Sequence, residues 1–258
     1  MAIVKKRLDL LIQERYPHLS RNQIQSFIVQ RKVSVLGIIL DKPGTQIAQD
    51  SEIILAIDEP KYVSRAGFKL EGALDAFNIN VTDLVVLDAG ISTGGFSDCL
   101  LQRNIKKIYG IDVGYGQVHE KVANNPKVKI LERTNLRNLS FLPEKIDIAT
   151  LDLSFISLLK VIPAVKSLLK PDGRIIALIK PQFEAERKDV GKGGIIKDDT
   201  VHQKVIANVT QGMQELGFKL EGLIESPIKG SSGNKEFLGY FIPIALNVIP
   251  GLPCPPKL

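Results

Sequence analysis

Cysteine is scarce in this chain. Cys99 and Cys254 are the only two in 258 residues, and neither stands in a C-x-x-C pair or in Cys/His ligand spacing, which excludes a disulfide framework and a structural zinc site. Long apolar runs are also missing. The greasiest stretch, FISLLKVIPAVKSLL, is interrupted by Lys160 and Lys166 and is too short for a hydrocarbon core. The opening segment, MAIVKKRLDLLIQERYPHLS, places Lys5, Lys6, Arg7, Asp9, Glu14 and Arg15 where a secretory signal needs unbroken apolar sequence. A protein of the reducing cytoplasm is expected. With 44% hydrophobic residues the chain can bury a substantial core, so global disorder is excluded.

What is present is unevenly distributed charge. The net charge of +6 favours a polyanionic partner. Residues 1–35 carry seven basic side chains against two acidic ones, whereas residues 36–60 carry one against five. In this first segment RLDLLIQERYP puts Leu8, Leu11 and Ile12 on one helical face, and Ser20 is a natural N-cap for a second helix bearing Ile24, Phe27 and Ile28. Val33, Val35, the turn at Gly37, the pair Pro43 and Gly44, and the alternating SEIILAI then read as short strands. These sixty residues form a small α+β unit. The polar stretch EPKYVSRAG, with Pro60, reads as the connection that follows it.

From residue 81 strands alternate with helices, the pattern of a mostly parallel sheet covered on both faces. LVVLDAG, KKIYGIDV, VKILER, IDIATLDL, RIIALIKP, KLEGLIES and EFLGYFIPI are the strand candidates; helices are expected near 94–103, 115–124, 156–169 and 200–216. Only SPIKGSSGNK separates the last two strands, too little for a crossover helix, so they should pair antiparallel.

A glycine-rich turn at the carboxyl end of the first strand is where an open α/β sheet docks a nucleotide-like ligand. Here it reads Gly90, Ile91, Ser92, Thr93, Gly94, Gly95, leading into a helix at Phe96. That spacing is neither G-x-G-x-x-G nor a phosphate-cradling loop, which argues against a nicotinamide dinucleotide or a triphosphate. Asp88 just before the loop suits a ligand with a cationic end, and Asp112 at the end of the second strand is placed to accept from ribose hydroxyls. Together these suggest S-adenosylmethionine. The fourth strand ends in DLSF at 152–155. A proline-bracketed tetrapeptide for an exocyclic amine is missing there, and so is a cysteine nucleophile for a pyrimidine carbon. An oxygen acceptor remains. A ribose 2′-hydroxyl is a weak acid, and its attack on a sulfonium methyl benefits from a lysine that takes or steers its proton. Lys180 closes the fifth strand and Lys69 lies in SRAGFKL; Asp152 and Glu236 are the carboxylates that can orient those amines.

The segments YVSRAGFKL, LDAGISTGGF, ERTNLR, DLSFIS, IKPQFE, VGKGGI and SGNKEFL, in this order, resemble the TlyA-type proteins, which join an S4-type RNA-binding domain to an FtsJ-like (RrmJ-like) methyltransferase domain and are often labelled haemolysin A. The resemblance covers nearly the whole chain. It implies a Rossmann-like class I fold with a mostly parallel seven-stranded sheet, and S-adenosylmethionine-dependent 2′-O-methylation of cytidine in ribosomal RNA. By position it implies a catalytic tetrad of Lys69, Asp152, Lys180 and Glu236, and a cofactor held at Gly90, Ser92, Thr93, Gly94, Gly95, Asp112 and Asn135; Asp88 and Phe96, on either side of the glycine loop, are expected to bind the cofactor with them. Residues 1–60 would be the S4-type domain, 61–66 a linker, 67–246 the methyltransferase domain and 247–258 a tail. Arg7, Arg21, Arg31, Lys32 and Arg65 are the expected RNA contacts. Leu36 stands where the S4 pattern frequently has asparagine, and Lys32 where glycine is common. Gly191–Gly194 reads as a loop at the mouth of the site. A membrane-active haemolysin and a non-catalytic RNA-binding assembly factor are the competing readings; the absence of a transmembrane segment speaks against the first and the complete tetrad against the second.

Overall fold

The computed structural model describes residues 4–56 and 60–244; Cys254 and the expected tail 247–258 lie outside the described residues. The chain divides into two compact units, Met1–Lys61 and Tyr62–Leu258. Among the described residues no helix is long and apolar enough to cross a membrane.

In the smaller unit β1 (Lys5–Arg7) runs into α1 (Leu8–Arg15), followed by α2 (Arg21–Val29), β2 (Val33–Val35), β3 (Ile38–Ile39), β4 (Gln46–Ala48) and β5 (Ile53–Leu55). Ser20 starts α2 through a reciprocal capping box with Gln23. β2 pairs antiparallel with β3 and β5, and β1 with β4. Leu8, Leu11, Ile12, Ile24 and Ile28 from the two helices share one core with Val33, Val35, Ile47 and Ile53 from the strands. The two residues between β2 and β3, Leu36 and Gly37, both have positive φ, 50° and 80°. That is the backbone of a type I′ hairpin turn, whose twist matches the strands it joins.

The larger unit comprises α3 (Ala66–Ala76), β6 (Val85–Ala89), α4 (Gly95–Leu101), β7 (Lys107–Ile111), α5 (Glu120–Ala123), β8 (Val128–Leu131), β9 (Ile146–Leu151), α6 (Ile162–Leu168), β10 (Leu169–Ile179), α7 (Pro181–Glu184), α8 (Asp199–Glu215), β11 (Phe218–Glu225) and β12 (Phe237–Pro243). All seven expected strands form one sheet in the order β11-β12-β10-β9-β6-β7-β8. β12 is antiparallel to both neighbours and the remaining pairs are parallel. Side chains alternate across each strand, so Val85, Leu87 and Ala89 face one core with residues of α6 and α8, while Val86 faces the other with residues of α3 and α4.

Three local expectations are corrected. The helix expected at 115–124 is only the four residues of α5, because Gly114 and Gly116 interrupt its first half and Gly116 takes φ 66°. The helix expected at 156–169 begins as α6 only at Ile162, with Pro163 in its first turn, after a short 3₁₀ turn at Leu158–Lys160. Residues 62–66, expected as a linker, are built into the larger unit. Tyr62 is buried in its core, the Val63 amide donates to Asp98 Oδ2 (2.8 Å), and α3 starts at Ala66. An aromatic ring that finds a packed apolar partner gains more by burial than by staying in a polar connection.

Candidate active site

In an open α/β sheet, ligands bind beyond the carboxyl ends of the strands where the strand order reverses. Here the reversal falls between β6, which continues to β7 and β8 on one side, and β9, which continues to β10 on the other. Gly90, Asp112, Asp152 and Lys180 are each the first residue past β6, β7, β9 and β10. β12 runs backwards, and its first residue, Phe237, pairs with the last residue of β10, Ile179. That register brings Glu236 to the same edge as Lys180, although Glu236 precedes its strand.

The four expected catalytic residues form two ion pairs. Lys180 Nζ lies 2.6 Å from Asp152 Oδ1 and donates to Ser154 Oγ at 3.0 Å. Lys69 Nζ, carried in by α3, donates to Glu236 Oε2 at 2.6 Å, with the two side chains 8% and 3% exposed. Gln182 Nε2 contacts Glu236 Oε1 at 3.4 Å. Burying an ion pair is a poor way to gain stability, because desolvating the charges offsets their attraction. Two such pairs at a ligand-binding edge therefore point to chemistry.

Beside them opens a cleft of about 310 Å³, lined by Gly90, Ser92, Asp112, Asn135, Leu136 and Asp152 among others, with no lysine or arginine in its lining. The Asp112 carboxylate accepts from the amides of Ser92 and Gly114, both at 2.8 Å, which fixes it and leaves further lone pairs for hydroxyl donors. Gly90 has φ 83°, and a Cβ there would lie 2.5 Å from the Asp152 carbonyl oxygen; only glycine permits this crossing of the two strand ends. Asn135 Oδ1 caps the next turn by accepting from the Arg137 amide (3.1 Å). The other expected cofactor residues do not line the cleft. Gly94 and Phe96 are buried in the turn and in α4, and the Thr93 carbonyl accepts from the His119 amide. A Cβ on Gly95 would stand 2.2 Å from Ser64 Oγ, so Gly95 serves the packing of α4 on the 62–66 segment. Asp88 is fully buried on the α3/α4 side, receiving the hydroxyls of Ser97 (2.6 Å) and Thr150 (3.3 Å). Burial pushes its carboxyl up to about 7, and the Asp152 charge adds to the rise.

A second, more open groove of about 900 Å³ shares Phe155 and Ile156 with the cleft and is lined by Arg137, Lys160, Arg187, Gln182 and Phe183. Phe155 is 90% exposed, holds φ 63°, and packs its ring 4.9 Å from that of Phe183. An aromatic ring held in the open by a costly backbone conformation is a feature of ligand-binding sites.

A family model for FtsJ-like methyltransferases matches residues 62–241. The chain is 40% identical, over 90% of its length and 88% of the relative's, to the 16S/23S rRNA (cytidine-2′-O)-methyltransferase TlyA of Mycobacterium tuberculosis. It belongs to the TlyA family of FtsJ-like methyltransferases. A Bacillus subtilis protein provisionally named rRNA methyltransferase YqxC is 41% identical over 92% of this chain and 86% of its own. The solved structure of a Streptococcus thermophilus protein, described provisionally as a hemolysin, matches with a TM-score of 0.71 at 37% identity, covering 97% of this chain and 93% of that one.

Sequence reasoning on this methyltransferase missed Ser154, Gln182, Phe155, Phe183 and the basic lining of the groove, as well as helix α3 itself. DLSF and IKPQFE held Ser154, Phe155, Gln182 and Phe183 but gave no sign of which of their side chains face the site. Of the expected RNA contacts, Arg65 donates to the Lys229 carbonyl. In the smaller unit Arg7 and Arg21 flank a buried Asp9, at 2.9 and 3.6 Å. The Arg7 hydrogen bonds hold that carboxyl down at about 2, against its burial. Arg31 (φ 61°) is exposed beyond α2 and Lys32 is half-buried beside it.

Proposed function

We propose that this methyltransferase transfers the methyl group of S-adenosylmethionine to the 2′-hydroxyl of a cytidine in ribosomal RNA, in the cytoplasm, with residues 1–60 acting as an S4-type RNA-docking domain. The observation that carries the reading is the pair of buried lysine–carboxylate contacts beside a cleft that has two aspartates and no cation in its lining. Such a lining suits a ligand with a sulfonium and no phosphates. The names of the relatives supply the acceptor.

When bound, S-adenosylmethionine supplies a methyl group made electrophilic by the sulfonium. Asp112 accepts from its ribose hydroxyls, and Gly90, Ser92 and Asn135 line the rest of its cleft. Lys180, steered by Asp152 and Ser154, holds the acceptor 2′-oxygen in line and, with Asp152 as the adjoining base, relays its proton. Lys69 and Glu236 fix the acceptor ribose from the other side. The rings of Phe155 and Phe183 offer a face to an unstacked base, and Arg137, Lys160 and Arg187 offer charge to the phosphates around it. Arg7, Arg21, Arg31 and Lys32 of the smaller unit and Arg65 of the larger one offer further charge to phosphates; such contacts position RNA without reading sequence.

The test is transfer of labelled methyl from S-adenosylmethionine to ribosomal RNA. Lys180→Ala should lower the rate at least about 100-fold while leaving cofactor affinity, measured by calorimetry, unchanged. Undiminished transfer by that variant would remove Lys180 from the mechanism.

A further inference from the structure

The short turn α7 and the lysine before it tie the walls of the site together. Lys180 bonds Asp152 and Ser154, Phe183 packs on Phe155, Glu184 Oε1 accepts from the Leu158 amide at 2.7 Å, and Gln182 reaches Glu236. Gln182 uses only the NH₂ end of its amide. Its Oε1 is shielded from solvent, and no described residue donates to it. The orientation of the amide is not arbitrary, because a carboxylate only accepts; Glu236 must face the NH₂ end, which leaves the oxygen as the free end. A shielded carbonyl without a donor is costly to keep, and this one belongs to a side chain that lines the groove of Phe155 and Phe183.

We propose that Gln182 is the residue that selects cytidine, its Oε1 accepting a hydrogen bond from the exocyclic amine of the acceptor base. The proposal rests on the reading that the chain methylates a ribose of ribosomal RNA. Cytosine and uracil share the ring that the two phenylalanines can cover, so stacking does not tell them apart. They differ at C4, where cytosine carries an amine donor and uracil a carbonyl acceptor. Opposite Gln182 Oε1 the amine completes a bond, whereas the carbonyl sets two acceptors against each other. The geometry along the chain fits one nucleoside: Lys180 and Gln182 are two residues apart, at most about 7 Å, so Lys180 can meet the ribose while Gln182 meets the base. Selection here adds nothing to the chemistry of the methyl transfer. It acts on whether the acceptor is held.

The experiment compares wild type with Gln182→Leu on ribosomal RNA carrying cytidine or uridine at the mapped acceptor position, reading kcat/KM for each. Wild type should favour cytidine by about 10-fold or more, and Gln182→Leu should lose that preference, chiefly through slower reaction of cytidine. Cofactor affinity and melting temperature should stay at wild-type values. Should leucine disturb the turn, Gln182→Met, nearly isosteric and without the carbonyl, takes its place. An unchanged cytidine-to-uridine ratio in a folded, cofactor-binding variant overturns the proposal, and so does a wild-type protein indifferent to the base. Failure of the wild type to methylate any ribosomal RNA is a different result: it removes the methyltransferase reading and this proposal with it.

Discussion

Asp88 and Gly90 stand two residues apart at the end of β6, and the sheet assigns them different work. Gly90 lets two strand ends cross; Asp88, on the same face as Val86, is turned under the loop and held by Ser97 and Thr150. The folded carboxyl sits at about 7 against an ordinary value of 3.8, so the folded state binds the proton more tightly. Its contribution to stability is complete below pH 3.8 and is lost as the pH rises through 7. Asp88→Asn should therefore melt close to wild type at pH 4 and progressively above it between pH 5 and 8, as calorimetric scans would register. The opposite trend would mean that Asp88 is ionised where it stands. Asp88 was expected beside the cofactor, but strand alternation turns it away from the cleft, to the side opposite Leu87 and Ala89. Lys180 and Asp152 were legible, because strand ends mark the ligand edge. Phe155 was not: its exposure follows from a backbone angle that only the assembled site reveals.

Elements were legible where periodicity and punctuation agreed. All seven strands fall within two residues of their expected limits at the carboxyl end, and the antiparallel pairing of β11 with β12 followed from loop length. Helix α3 escaped because Gly67 and Gly72 lower its intrinsic helix preference by about 1 kcal/mol each. Close packing explains both glycines: a Cβ at Gly67 would lie 2.4 Å from the Tyr62 ring, and one at Gly72 3.0 Å from Pro227. The β2–β3 turn shows the reverse situation, a poor residue in a well-defined place. Leu36 is exposed and holds a positive φ, a conformation that costs a branched side chain about 1 kcal/mol and asparagine less. Leu36→Asn should stabilise the smaller unit by about 0.5–1 kcal/mol, read from denaturant titration. The asparagine frequent at this position in the S4 pattern thus has a local physical cause.

For the molecule as a whole, the excess of positive charge is better described as two reserves. One lies in the first 35 residues, where Asp9 already occupies Arg7 and Arg21 in part and Arg31 and Lys32 have no acidic partner among the described residues; the other lines the Phe155 groove. Arg31→Glu combined with Lys32→Glu should weaken binding to ribosomal RNA and flatten its salt dependence by about one unit of log–log slope per lost phosphate contact, with cofactor affinity unchanged. An unaltered slope would show that this end of the small unit does not meet RNA. The pairing of Lys69 with Glu236 also sets a clock. The partners are 167 residues apart in the chain, so at ordinary translation speeds of 5–20 residues per second the lysine waits on the order of 10–30 s for its carboxylate. A ribosome that stalls before β12 releases a chain whose Lys69 has no counterion and whose last site wall is missing. The site of this methyltransferase is complete only once β12 has been made.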